Sequence, residues 1–191
     1  GAHVCEASAI KTQALPRTDE MDVAYDSLSS YDGLIFTSAE GVRFFFDALL
    51  DRGLDSRALG SMKVCAIGSA TAKSLLDRGI RADIVPPNYQ AESVVETITV
   101  EQSRVWPERA LGDLRFVLVQ PKVARDVIYK GHSQARCDVT VLRLYETVQD
   151  TSHKEYLEEA LRAGEVDYIT FTSSSTVTNT KDMLGSDAVN L

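Results

Sequence analysis

The sequence predicts an α/β protein of the doubly wound, parallel-sheet kind, and three observations predict it. Short apolar runs alternate with amphipathic stretches almost from end to end, the pattern of strand, crossover helix, strand. The runs are apolar on both sides of the strand alternation, as strands covered on two faces require. One phrase is also written twice: Tyr31-Asp32-Gly33-Leu34-Ile35-Phe36-Thr37-Ser38 returns as Val166-Asp167-Tyr168-Ile169-Thr170-Phe171-Thr172-Ser173. Each copy reads as acid, buried strand, hydroxyl pair, helix start. The copies lie about a domain's length apart, too far for a solenoid repeat.

Taken in order, His3 to Ala9 reads as a short first strand, and a loop with Pro16 leads to an amphipathic stretch at Asp19 to Leu28. Gly33 to Phe36 is a buried strand. The next helix, Ala39 to Arg52, sets Val42, Phe45, Phe46, Leu49 and Leu50 on one face, and Gly53 fits its carboxyl cap. Lys63 to Ile67 is a strand and Ala70 to Arg78 a helix closed by Gly79. Both helices end in Leu-Leu-Asp-Arg-Gly, which sets a cation near the negative end of the dipole. Ala82 to Val85 reads as a strand stopped by Pro86-Pro87, with Ala91 to Ile98 helical after it. Phe116 to Val119 and Val139 to Leu144 are strands around a helix at Val123 to Gln134. Tyr156 to Arg162 and Thr176 to Leu184 are helices flanking a strand at Tyr168 to Phe171.

The second hydroxyl corner stands near the end of the sequence, with too little after it for a second sheet. Residues 1–10 and 146–191 are therefore expected to form one discontinuous, incomplete α/β domain, and residues 11–145 an inserted continuous one. Strand-like crossings near Ile10 and Thr147 would join them.

Composition narrows the function. With 20 Lys and Arg against 28 Asp and Glu the net charge is −8, and no basic stripe suits a nucleic-acid backbone. No apolar run approaches the roughly 20 residues that span a bilayer, and no signal peptide precedes the first strand. Cys5 and Cys65 fall in predicted strands and Cys137 just ahead of one, so all three read as core thiols in a reducing compartment, the cytoplasm by default. His3, His132 and His153 share no ligand spacing and read as surface or loop residues, so no metal is implied. Trp106-Pro107 reads as a loop anchor.

The candidate chemistry sits where strands turn into helices, the ligand edge of an open α/β sheet. At Phe36-Thr37-Ser38-Ala39 the free N–H groups of a helix start, the dipole and two hydroxyls favour a carboxylate or phosphate. A plain helix cap explains the same residues, although the run Thr172-Ser173-Ser174-Ser175-Thr176 exceeds what one cap requires. The corner Ile67-Gly68-Ser69-Ala70-Thr71 is small and open, without dinucleotide or P-loop spacing. Tyr145 ends a predicted strand at the domain crossing and either donates a proton to a ligand or packs as an amphipathic core residue. Lys122, Arg125 and Lys130 either meet ligand carboxylates or form a solvated helix face.

Together, Leu34 to Ser38, Ala66 to Ala72, Pro86-Pro87 before Ala91-Glu92, Ala124 to Val127, Leu144 to Val148 and Ile169 to Ser173 resemble the uroporphyrinogen-III synthase family. The resemblance implies two flavodoxin-like α/β domains on a two-stranded linker, with the substrate in the cleft. It implies cofactor-free closure of the linear tetrapyrrole hydroxymethylbilane, with inversion of the last pyrrole ring and loss of water. It makes Tyr145 the catalytic candidate, matching a linker tyrosine that assists departure of the hydroxyl group. Thr37, Ser38, Gly68, Ser69, Ala70, Thr71, Thr172, Ser173 and Ser174 become the substrate-binding candidates. A small-molecule substrate, a monomer and a native fusion to a tetrapyrrole methyltransferase complete the expectation. The stretch Gln120-Pro121-Lys122-Val123 departs from the family by lacking an arginine after its strand. A non-catalytic tetrapyrrole-sensing domain on the same scaffold is the alternative, and a two-domain solute-binding protein a weaker one.

Overall fold

Asp32 anchors the amino-terminal edge of the sheet. Its carboxylate accepts from the Arg115 backbone N–H at 2.9 Å and from both terminal nitrogens of Arg109 at 2.8 and 3.2 Å. Its carbonyl accepts from Lys63 N–H and from the Trp106 indole. One acid thus ties three strand starts to the Trp106 loop, where Trp106 is buried edge-on to Phe116. The computed structural model describes residues 3–171 and 173–185. They divide into two compact units, Gly1–Gln13 with Thr147–Leu191, and Ala14–Glu146.

The larger unit holds α1 (Asp19–Asp26), β2 (Gly33–Phe36), α2 (Ala39–Leu50), β3 (Lys63–Ala66), α3 (Ser69–Leu76), α4 (Ala91–Val105), β4 (Arg115–Pro121) and α5 (Val127–Gln134). The dividing lines fall within β1 (Ile10–Ala14) and β5 (Asp138–Gln149). The strand order is β1-β5-β4-β2-β3, and the β2–β3, β2–β4 and β4–β5 ladders are parallel. This is the predicted doubly wound sheet. β2, β3 and β4 are apolar on both faces because helices cover both. Leu34, Phe36, Val64, Val117 and Val119 face α1, α2 and α3, while Ile35, Cys65, Phe116 and Leu118 face α4 and α5. Phe36, Phe45 and Phe116 are essentially solvent-free, each contributing roughly 1.5–3 kcal/mol by burial.

The order of the strands sets the position of the site. From β2 the chain crosses by way of α2 to β3 on one side, and later returns to place β4 on the other. The reversal leaves a crevice beyond the carboxyl ends of β2 and β4, where ligands of open α/β sheets bind.

In the smaller unit, α6 (Lys154–Arg162) packs on α7 (Ser174–Leu184). The Asp150 N–H donates to Ala9 O, and Asp150 accepts from Ser152 N–H.

Several expected elements differ from those observed. His3 to Ala9 forms no strand; the first strand is the more polar Ile10–Ala14, selected by its neighbour β5 and not by apolar content. Ala82 to Val85 reduces to a single bridge between Ile84 and Cys65, since Pro86 and Pro87 supply no donors to extend it. Tyr168 to Phe171 is not a strand: no strand among the described residues pairs with it, and Tyr168 is 91% exposed. The helix expected from Val123 begins at Val127, and the strand expected to end before Tyr145 runs on to Gln149. Cys5 is exposed, so it is no core thiol, whereas Cys65 and Cys137 are buried and free. His132 is also not a surface residue. It is 2% exposed in α5, edge-on to Phe116.

Candidate functional site

A cavity of about 300 Å³ opens in the crevice between β2 and β4, lined by Thr37, Ser38, Ile67, Ala91, Gln120, Pro121, Ala124, Arg125, Ile128 and Tyr145. β2 ends at Phe36, and the turn into α2 delivers Thr37 and Ser38 to its rim. Thr37 Oγ1 donates to Val119 O at 2.9 Å, clamping the carboxyl ends of the two strands on either side of the crevice. Ser38, in extended backbone, caps α2: its Oγ accepts from Gly41 N–H at 2.8 Å. The remaining N–H groups of the first turn carry the positive end of the dipole toward the same rim.

Tyr145 reaches this corner because β5 is irregular. Gln120 pairs with Arg143, but Pro121 pairs with Tyr145, so Leu144 is an extra residue on β5. Before the bulge the strand alternates, with Val139 and Val141 toward α5 and Thr140 and Leu142 toward α2. Regular alternation would send Tyr145 back toward α5. The bulge instead buries both Leu144 and Tyr145 on the α2 side, the kind of re-aiming that such insertions produce. The phenol oxygen lies 2.7 Å from Ser38 Oγ. Its ring stacks on Phe44 at 5.0 Å and 9°, and the Arg43 guanidinium sits over the Phe44 ring, 3.9 Å from its centroid.

Burial pushes the Tyr145 phenol above its ordinary value, the Ser38 hydrogen bond opposes that shift, and the Glu40 charge adds to it. Tyr145 is therefore a neutral proton donor across the physiological range. Arg125 stands at the mouth, mostly exposed and 3.8 Å from Glu92, while Lys122 is held by Glu146 at 2.7 Å. The site thus combines a poised phenol, a capped helix start, an apolar interior and one cation at the entrance.

Over residues 1–190 the chain matches the family model described as uroporphyrinogen-III synthase HemD. It belongs to that family. It is 28% identical over 177 residues to the porphyrin biosynthesis protein HemD of Ruminiclostridium josui, covering 93% of this chain and 34% of that protein. It is 32% identical over 151 residues to a putative uroporphyrinogen-III synthase of Methanothermobacter thermautotrophicus, covering 78% of this chain and 56% of the relative. A crystal structure of a mutant uroporphyrinogen III synthase from Thermus thermophilus superposes with a TM-score of 0.60 at 22% identity, covering 94% of this chain and 66% of that one. That likeness is one of fold. The chain spans from about a third to two-thirds of the length of these proteins.

The fold brings together Thr37, Ser38 and Tyr145 of the predicted site residues. Gly68, Ser69, Ala70 and Thr71 form the next corner, between β3 and α3, and do not line the cavity, although Ile67 before them does. Gly68 lies beneath the Tyr89 ring, so close that a Cβ there would meet it at 2.5 Å. Ser69 and Ala70 are exposed and Thr71 is buried. In the smaller unit Ser173 caps α7 in a reciprocal box: its Oγ accepts from Thr176 N–H, and its own N–H donates to Thr176 Oγ1. Ser174 opens that helix, exposed. Thr172 lies outside the described residues. Ala91, Gln120, Pro121, Ala124 and Ile128 line the cavity without having been singled out as site residues in the sequence. Gln120 had a signal: it is the one polar side chain closing the run Phe116-Val117-Leu118-Val119 just ahead of Pro121.

Proposed function

We propose that this chain acts as a uroporphyrinogen-III synthase, closing hydroxymethylbilane with inversion of its last ring and loss of water, without a cofactor. The observation that carries the reading is the Tyr145–Ser38 pair, 2.7 Å apart at the mouth of the switch-point cavity. In the first step the lone pair of the terminal pyrrole nitrogen expels the hydroxyl from its methylene carbon. A phenol proton delivered to that oxygen turns a poor leaving group into water. Ser38, held in place by Gly41, orients the phenol and remains beside the phenolate that forms. Ring closure at the substituted carbon then depends on how the chain is folded, a task for positioning more than for strong acids and bases. The α2 N-terminus and Arg125 are the carboxylate-holding points. The Ser173 corner of the other unit, with Thr172 and Ser174, and the Gly68 to Thr71 corner belong to the same reading as further contacts.

The two compact units correspond, in this proposal, to two lobes of a monomer, which light scattering tests. Buried free thiols at Cys65 and Cys137 support a reducing compartment, the cytoplasm, and no helix among the described residues is long and apolar enough to cross a membrane. A native fusion to a tetrapyrrole methyltransferase is in keeping with the greater length of the R. josui relative, of which the match makes up 34%. The deciding experiment is isomer-resolved product analysis of the full-length protein supplied with hydroxymethylbilane. Formation of the type III isomer above the spontaneous rate is expected; type I alone, at that rate, rejects the reading.

A further inference from the structure

The cavity has a floor that the proposed chemistry leaves unused. Gln120 is 3% exposed, yet no group among the described residues hydrogen-bonds its carboxamide. By strand alternation it follows Leu118 onto the α4–α5 face, where Ile67, Ala91 and Ile128 form the apolar walls around it. Its amide atoms are not among the buried polar atoms that lack a partner, so solvent reaches them through the cavity that Gln120 lines. The unmade bonds of Gln120 open into the cavity, which makes the amide a waiting partner for something that enters.

We propose that Gln120 is a substrate-positioning contact, and that its Oε1 accepts the N–H of one pyrrole ring lodged in this cavity. The inference rests on the tetrapyrrole reading given above and assigns one ring of that substrate to one pocket. A volume of about 300 Å³ stands at the small end of ligand pockets, roughly 300–1,000 Å³, so it takes a single substituted ring and not a tetrapyrrole. The apolar walls suit the ring's faces. A pyrrole N–H is a donor without an acceptor, so it calls for an oxygen on the floor, and a neutral amide supplies one without burying a charge. The carboxylate arms then point out toward Arg125 and the start of α2. The arrangement fixes the in-plane rotation of the ring, because N–H must meet the floor while both arms reach the mouth.

The test uses a monopyrrole bearing one acetate and one propionate arm, together with its N-methyl analogue, titrated into the full-length protein by NMR. Wild type is expected to bind the N–H form about tenfold more tightly than the N-methyl form, the size of one buried hydrogen bond. In Gln120→Met the ratio is expected to collapse toward one, while the melting temperature holds because the amide has no partner in the fold among the described residues. An unchanged ratio in Gln120→Met overturns the proposal, since shape alone would then account for the preference. So does a fall in melting temperature, which would show that the amide supports the fold. Wild-type protein that makes the type III isomer but ignores the monopyrrole also overturns it, while leaving the proposed activity standing. Gln120-dependent discrimination in a protein that makes no type III isomer would support this contact and reject the activity.

Discussion

Removing the Ser38 hydroxyl should do two things at once, and a double-mutant cycle with Tyr145 separates them. Ser38 Oγ accepts from Gly41 N–H at 2.8 Å and lies 2.7 Å from the Tyr145 phenol. Loss of an N-cap hydroxyl costs about 1 kcal/mol. Loss of the bond to the phenol costs about 1 kcal/mol more, the ordinary net value, because the cavity admits water to the phenol left behind. Ser38→Ala is therefore expected to destabilise by about 2 kcal/mol. Tyr145→Phe keeps the stacking on Phe44 and the α2 cap, so it should cost only about 1 kcal/mol. The double variant loses one cap and one shared bond, about 2 kcal/mol in all, against about 3 kcal/mol expected from independent effects. The coupling is thus about 1 kcal/mol, and a chain of this size shifts roughly 2–4 °C per kcal/mol. Urea unfolding of the four proteins, with unchanged slopes, measures it. Additivity within about 0.3–0.5 kcal/mol would refute the claim that Ser38 holds the phenol, and with it the orienting role given to Ser38.

Other outcomes follow from the same geometry. Tyr145→Phe should lower kcat far more than it raises KM in the isomer assay, while the fold survives; equal kcat would reduce the phenol to packing. Because its folded pKa is raised, Tyr145 contributes stability that is complete below the ordinary phenol value of 10.0 and is lost as pH rises past it. The alkaline limb of a kcat profile should accordingly lie above 10.0, and Ser38→Ala should move it further up by removing the bond that opposes the shift. His132 has the opposite sign. Its Nδ1 donates to Ile128 O at 2.9 Å, Nε2 is buried without a partner among the described residues, and desolvation pulls its pKa below 6.5. Stability should be whole above the ordinary imidazole value of 6.5 and decline as pH falls through the lower folded value; a His132→Leu variant with the same slope in acid unfolding curves would contradict this. Gly33→Ala should destabilise by roughly 1–3 kcal/mol, since its Cβ would meet the buried Phe116 ring at 2.5 Å with Trp106 behind it; a neutral melting curve would count against that packing.

The central strands were legible because their signal is local and redundant. Gly33 to Phe36 and Lys63 to Ala66 are apolar almost throughout, and only a doubly covered strand tolerates that. Edge elements were not, because a strand exists through its neighbour. Ile10 to Ala14, expected only as a strand-like crossing near Ile10, pairs as β1, while Tyr168 to Phe171 looks like strand and does not. Helix starts were within a few residues where a capping hydroxyl marked them, as at Ser38 and Ser173, and also at the uncapped α3 and α4; the start of α5 at Val127 was expected four residues early. At the site, Thr37 and Ser38 were found from their position after a buried run. Tyr145 was carried by the family resemblance. Its aim depends on one unpaired residue in β5, and a bulge becomes visible only when the partner strand is laid beside it. Thr71 and Gly68 show the converse: small or hydroxyl residues at a good corner, one turned inward and the other roofed by Tyr89.

The extra residue at Leu144 sets a rule for transferring this tyrosine to another protein. Counting positions along the chain is not enough, because parity reverses across the insertion and a strand one residue shorter would present the phenol to the wrong side of the sheet. Comparison with a strand that lacks the insertion must therefore place its gap at Leu144 or lose the correspondence. Any redesign that grafts the tyrosine onto a regular strand should carry Leu144 along with it.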